Sequence, residues 1–151
     1  MNKGDATVSA EVRTDPIVHE RHIDAKPETV FAFFTDPEKL TRWLAVEATL
    51  DPRPGGVCQQ THVGDDGDRY FMRGEFVEVS PPSRVVFTWG FQNEGLDVAP
   101  GASTVEVTLE ARDGGTWLTL VHRDLPASER ASHDGGWDTM LGRLATAVAQ
   151  A

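Results

Sequence analysis

Cysteine is nearly missing from this chain: Cys58 is the only one in 151 residues. A lone thiol rules out an intrachain disulfide and a thiolate metal cluster, and it fits a reducing, cytoplasmic setting. Long apolar runs are missing too. No stretch approaches the roughly 20 residues of a membrane span, so integral membrane association is not expected. Positive charge is scarce, with 14 Lys and Arg against 24 Asp and Glu and a formal net charge of −10. The arginines are scattered among acidic neighbours without an interleaved aromatic platform, which argues against nucleic acid as a partner. No Gly-x-Ser-x-Gly elbow, phosphate loop or dinucleotide fingerprint occurs, so nucleophilic and nucleotide chemistry lack support and no cofactor is expected.

Metal ligation has little to build on. His19 and His22 lie three apart on an expected strand and point to opposite faces. Asp65, Asp66 and Asp68 around Gly67 lack the length and closing Glu of a calcium loop, and read as a polar hairpin turn. No metal site is expected.

What the chain does contain is one long helical stripe near its end, over Ser128 to Gln150. Trp137, Leu141, Leu144 and Val148 recur at helical spacing, Met140 and Ala147 widen the stripe, and Asp138, Arg143 and Gln150 mark a wet side. Pro126 and Ser128 suggest the start and a cap. Gly135 and Gly136 interrupt the pattern, each at about 1 kcal/mol relative to Ala. Two explanations stand: a kink after a short first turn, or close approach of another backbone with the Trp137 indole turned beneath a sheet.

Upstream, the residues before Pro16 read as a polar leader, 1–15, ahead of a single domain over 16–151. Ile17 to Ile23 reads as a first strand of mixed pattern. Pro27 with Glu28 opens a short helix carrying Val30, Phe31, Phe33 and Phe34, and Asp36-Pro37 opens a second that runs to about Trp43. From Ala45 the period becomes two, with turns at 52–56, 64–68, 81–83 and 113–115. Val85, Phe87, Trp89 and Phe91 share one face; so do Val105, Val107 and Leu109, and Leu118, Leu120 and His122 are assigned to the interior. The 93–101 connection belongs at the sheet's rim. Segregated helices and strands give the α+β class: a curved antiparallel sheet of about six or seven strands gripping a long C-terminal helix, with two short helices after the first strand.

Several of these segments in this order, over about nine-tenths of the chain, resemble the START-like helix-grip (SRPBCC) superfamily. They are Pro27-Glu28-Thr29-Val30-Phe31, Asp36-Pro37 to Trp43, Pro54-Gly55-Gly56, Gly74 to Val79 with Pro81-Pro82, Val86-Phe87-Thr88-Trp89, and His133 to Trp137 with Leu141 and Leu144. Within the superfamily the chain is similar to the activator of heat-shock-ninety ATPase homologue family, matching its C-terminal domain. The resemblance implies a hydrophobic cavity beneath the sheet, and lipid or polyketide binding, cyclase chemistry or chaperone regulation as roles. Chaperone co-activators of the family carry an additional N-terminal domain that a fifteen-residue leader cannot replace.

The expected partner is therefore a small apolar molecule between sheet and helix. The expected lining is Trp43, Phe76, Trp89, Phe91, His122, Trp137, Met140 and Leu141, with aromatic core filling as the alternative at each ring. His122 and His133 are the only candidates for a catalytic acid or base, each also readable as a hydrogen-bonded structural histidine. A homodimer or protein-interaction role is compatible with either reading, binding or catalytic.

Overall fold

The computed structural model describes residues 15–151; the leader expected over 1–15 lies, apart from Asp15, outside the described residues. Seven strands are present: β1 (Ile17–Ile23), β2 (Glu47–Leu50), β3 (Val57–Val63), β4 (Arg69–Ser80), β5 (Arg84–Trp89), β6 (Ser103–Arg112) and β7 (Gly115–Arg123). They form one antiparallel sheet in the order β1-β7-β6-β5-β4-β3-β2. Between β1 and β2 come α1 (Pro27–Thr35) and α2 (Pro37–Leu40); α3 (Ala127–Ala149) ends the chain. This is the antiparallel sheet over a C-terminal helix that the alternation pattern implies, and the helix-grip architecture that the resemblance implies.

Local chemistry sets the corners. Pro27 opens α1 and Pro37 opens α2, where a missing N–H costs nothing. The Asp36 carboxylate caps α2 by accepting from the Glu38 N–H at 2.9 Å. The β6–β7 hairpin turns at Asp113 and Gly114, with φ of 52° and 78°, the backbone that a two-residue Asp-Gly hairpin demands. The sheet bends along β4. Its first half pairs with β3 and its second with β5, and a bulge between Phe76 and Glu78 throws Val77 outward. Gly74 sits at the crossing, where a β-carbon would collide with the Thr88 carbonyl.

The concave face holds one core. Phe33 and Phe34 from α1, Phe76, Phe87, Val105, Val107, Leu118 and Leu120 from the sheet, and Leu141 and Leu144 from α3 are all at most 1% exposed. The mixed pattern of β1 has a physical reason. Its inward positions carry His19 and Arg21 between Ile17 and Ile23, and these pair with the helix: His19 with Asp134 at 2.8 Å, Arg21 with Asp138 at 2.6 Å. Arg130 adds bonds to the carbonyls of Asp15 and Pro16. Residues 130, 134 and 138 are one turn apart, so a polar row on α3 is fastened to the sheet's edge while the apolar row enters the core.

Three expectations about α3 change. The helix runs unbroken through Gly135 and Gly136, so no break separates a first turn from the main helix. A β-carbon at either glycine would meet nothing within 4 Å, so no backbone approaches there. Ser128 does not cap the helix; its hydroxyl donates to Asp97 at 2.8 Å, and the N-cap position is Pro126.

Candidate functional site

Trp89, the last residue of β5, stands at the centre of an aromatic and imidazole cluster. Trp137 lies 5.3 Å away ring to ring, Phe91 5.6 Å, His62 5.5 Å, His122 5.6 Å and His133 6.1 Å. Three histidines from β3, β7 and α3 thus surround one indole.

Hydrogen bonds fix their protonation. The Trp137 indole N–H donates to His122 Nδ1 at 2.9 Å, so Nδ1 is bare and Nε2 carries the proton. That Nε2–H donates to Ser103 Oγ at 2.9 Å, and the Ser103 hydroxyl donates to the Trp89 carbonyl at 2.8 Å. In His133 the order reverses: Nδ1–H donates to the Glu129 carbonyl at 2.9 Å and Nε2 accepts the Trp89 indole N–H at 3.1 Å. Both histidines are neutral with every ring nitrogen committed. Burial, and then the proximity of His133, pushes His122 down to about 3. Burial lowers His133 as well, against the opposing pull of Glu129.

His62 is different. Its Nε2–H donates to Gln60 Oε1 at 2.8 Å, while Nδ1 has no protein partner among the described residues. Burial followed by His133 holds it down to about 4. Cys58, Gln60 and His62 share the inner face of β3, a polar ladder inside an apolar concavity. The Cys58 thiol, pushed up to about 12 by burial, is inert. Among the described residues no three His, Cys, Asp or Glu side chains converge to hold a metal ion.

Beside Trp89 a cavity of about 170 Å³ opens between sheet and helix, lined by Leu44, His62, Trp89, His133, Trp137 and Met140, with Ser132 and Gly136 at the helix. The missing side chain at Gly136 leaves part of this space empty. Through Leu44, His62 and Met140 the cavity adjoins an outer depression of about 360 Å³ walled by Trp43, Phe91, Tyr70, Arg42 and Arg143.

Of the expected lining, Trp89, Trp137 and Met140 border the inner cavity, and Trp43 and Phe91 the outer one. Phe76, His122 and Leu141 border neither: Phe76 packs on Phe87, Leu141 is fully buried under the helix, and His122 stands behind Trp137. Trp43 is held by its N–H to the Phe33 carbonyl at 2.9 Å and by an edge contact with Phe34. Leu44, His62 and Gly136 escape the sequence reading. Parity along β3, which puts residues 58, 60 and 62 on one face, is the signal that points to His62. The 93–101 connection, expected at the rim, is also anchored: Val98 is 0% exposed, and Asn93 bonds both the Phe71 N–H and the Arg69 carbonyl.

Comparisons with known proteins agree with the fold. A family described as Activator of Hsp90 ATPase homolog 1-like protein matches residues 24–149. The human activator of 90 kDa heat shock protein ATPase homolog 1 is 26% identical over 132 residues, 86% of this chain and 36% of that protein. The mouse protein is 25% identical over the same share. The chain thus spans about a third of the curated relatives it matches. A crystal structure of a Chromobacterium violaceum protein superposes with TM-score 0.77 at 27% identity, covering 88% of this chain and 96% of that one. The solution structure of a similar protein from Aeromonas hydrophila gives 0.73 at 24%, covering 90% and 93%. The seven-stranded grip on α3 and the family match over residues 24–149 place this chain in the Activator of Hsp90 ATPase homolog 1-like family.

Proposed function

We propose that the protein is a binding protein for a small apolar molecule, acting as a single START-like domain over 16–151 and working in the cytoplasm. The observation that carries this is the cavity of about 170 Å³ walled by Trp89, Trp137, Met140 and Leu44, with its helix side opened by a glycine. An engineered apolar cavity of about 150 Å³ takes up benzene, so a single ring is the expected guest. Binding draws on apolar burial, and nucleotides and sugars should be rejected. Catalysis by His122 or His133 has less support, since a general acid or base needs a ring nitrogen free to exchange a proton and all four are committed.

The test is a tryptophan-fluorescence titration with indole, toluene and naphthalene, repeated on Gly136→Leu, which fills the space from the helix. Saturable quenching that the variant loses supports the reading. No response across the panel removes it and favours the second reading, protein interaction or self-association. The chaperone connection in the names of the human and mouse relatives favours that reading; co-sedimentation with the chaperone, and mass determination in solution, test it.

A further inference from the structure

The geometry points to an amphipathic carboxylate as the guest: an aromatic or acyl body in the inner cavity and an acidic head held at the mouth by Arg42 and Arg143. This rests on the cavity reading above and adds the chemical class of the ligand.

The first observation is one of charge. The chain carries 24 Asp and Glu against 14 Lys and Arg, yet no carboxylate lines the inner cavity, the outer depression, or the groove along Thr139, Gly142 and Thr146 beside them. Arg42 and Arg143 border both the groove and the outer depression.

The second is one of pairing. Most described arginines are occupied: Arg21, Arg53, Arg69, Arg84, Arg112 and Arg123 each meet a carboxylate. Arg73 and Arg130 bond backbone carbonyls. Arg42 has no hydrogen bond or ion pair among the described residues, and Arg143 has only the Met140 sulfur at 3.8 Å. In an acidic protein the two guanidinium groups that bond no protein oxygen among the described residues thus stand at one opening, where each could offer a carboxylate a pair of parallel N–H donors.

The third is one of continuity. Arg42 is two residues from Leu44 and Arg143 three from Met140, and Leu44 and Met140 border both chambers. A ring against Trp89 and Trp137 would leave a short chain to pass this aperture and its head outside. The orientation follows from His62, neutral and with a bare Nδ1 lone pair that offers nothing to a carboxylate inside.

The experiment uses 4-phenylbutanoate and its neutral, nearly isosteric partner 4-phenylbutanamide, titrated at pH 7.5 in low salt against the full chain and Arg42→Gln/Arg143→Gln. Two exposed ion pairs predict that the acid binds about threefold to tenfold tighter than the amide. The preference should vanish in the double variant and at 0.5 M salt, about a 4 Å Debye length, while toluene, which has no polar head and would fill only the inner cavity that neither arginine lines, binds both proteins equally and so reports an intact cavity. Equal affinities, or a preference that survives removal of both arginines, overturn the assignment and leave the cavity reading standing. Failure of both compounds, together with the apolar panel, overturns both.

Discussion

Trp89 and Trp137 lie 5.3 Å apart, tilted by 49°, and each gives its indole N–H to a histidine on the opposite layer: Trp89 in the sheet to His133 on the helix, Trp137 on the helix to His122 in the sheet. Two antiparallel stitches therefore cross between β5, β7 and α3, and each uses an imidazole that must be neutral to accept.

Acid should unpick the His122 stitch and charge His62 beside it. His122 and His62 have an ordinary value of 6.5 and are held at about 3 and about 4 when folded. The unfolded chain takes up these protons as pH falls through 6.5 and the folded chain does not, so the stabilisation is complete above 6.5 and is lost as pH falls toward 4. Each histidine contributes about 1.4 kcal/mol per pH unit inside that window. Urea melts at pH 7, 6 and 5 should show unfolding free energy dropping by roughly 2 kcal/mol between the last two; a flat profile would contradict the neutral-imidazole assignment. Buried carboxylates do not account for such a loss, since their range begins lower.

The two stitches should differ in strength. Trp137→Phe leaves His122 Nδ1 bare at a site 1% exposed, at about 2 to 4 kcal/mol for the lost bond and the smaller ring. Trp89→Phe leaves His133 Nε2 facing the cavity, where water can replace the donor, and should cost about 1 kcal/mol less. Equal losses in chemical denaturation would mean that the cavity side is as dry as the core.

Gly135 and Gly136 separate folding from function. Both sit in an unbroken helix with nothing within 4 Å of a new β-carbon, so Ala at either should stabilise by roughly 0.5 to 1 kcal/mol. Only Gly136 borders the cavity. Thermal melts and ligand titration together should show Gly135→Ala more stable with unchanged binding, and Gly136→Ala more stable with weaker binding. Destabilisation by either substitution would show that the glycine serves the fold.

Leu141 is fully buried, and Leu141→Ala should cost about 2 to 5 kcal/mol. A change under half a kilocalorie in a denaturant midpoint would mean that α3 is not the core element it is taken to be.

Much of the fold is written in local period. The alternation through Val85, Phe87 and Trp89, the Asp113-Gly114 turn, and the stripe from Trp137 to Val148 each encode an element and its inner face, and His122 falls inward by parity alone. The site is less legible because it is made of contacts between distant positions: residues 89 and 133, 122 and 137, 62 and 89. No period links them. Polar residues turned inward also disguise themselves, as His19 and Arg21 do on β1 by pairing with Asp134 and Asp138. The reason for Gly136 is the empty volume beside it, which exists only once the sheet has curved.

The anchoring of the 93–101 connection bears on how a guest would come and go. Val98 is sealed in the core, Asn93 is bonded to β4 backbone at both Arg69 and Phe71, and Asp97 is tied to Ser128, so this connection is held at three points. Between the two chambers stand Leu44 and Met140, which could make way by turning about their own side-chain bonds. If the proposed guest binds, its exchange would then depend on these two side chains and not on the movement of a loop.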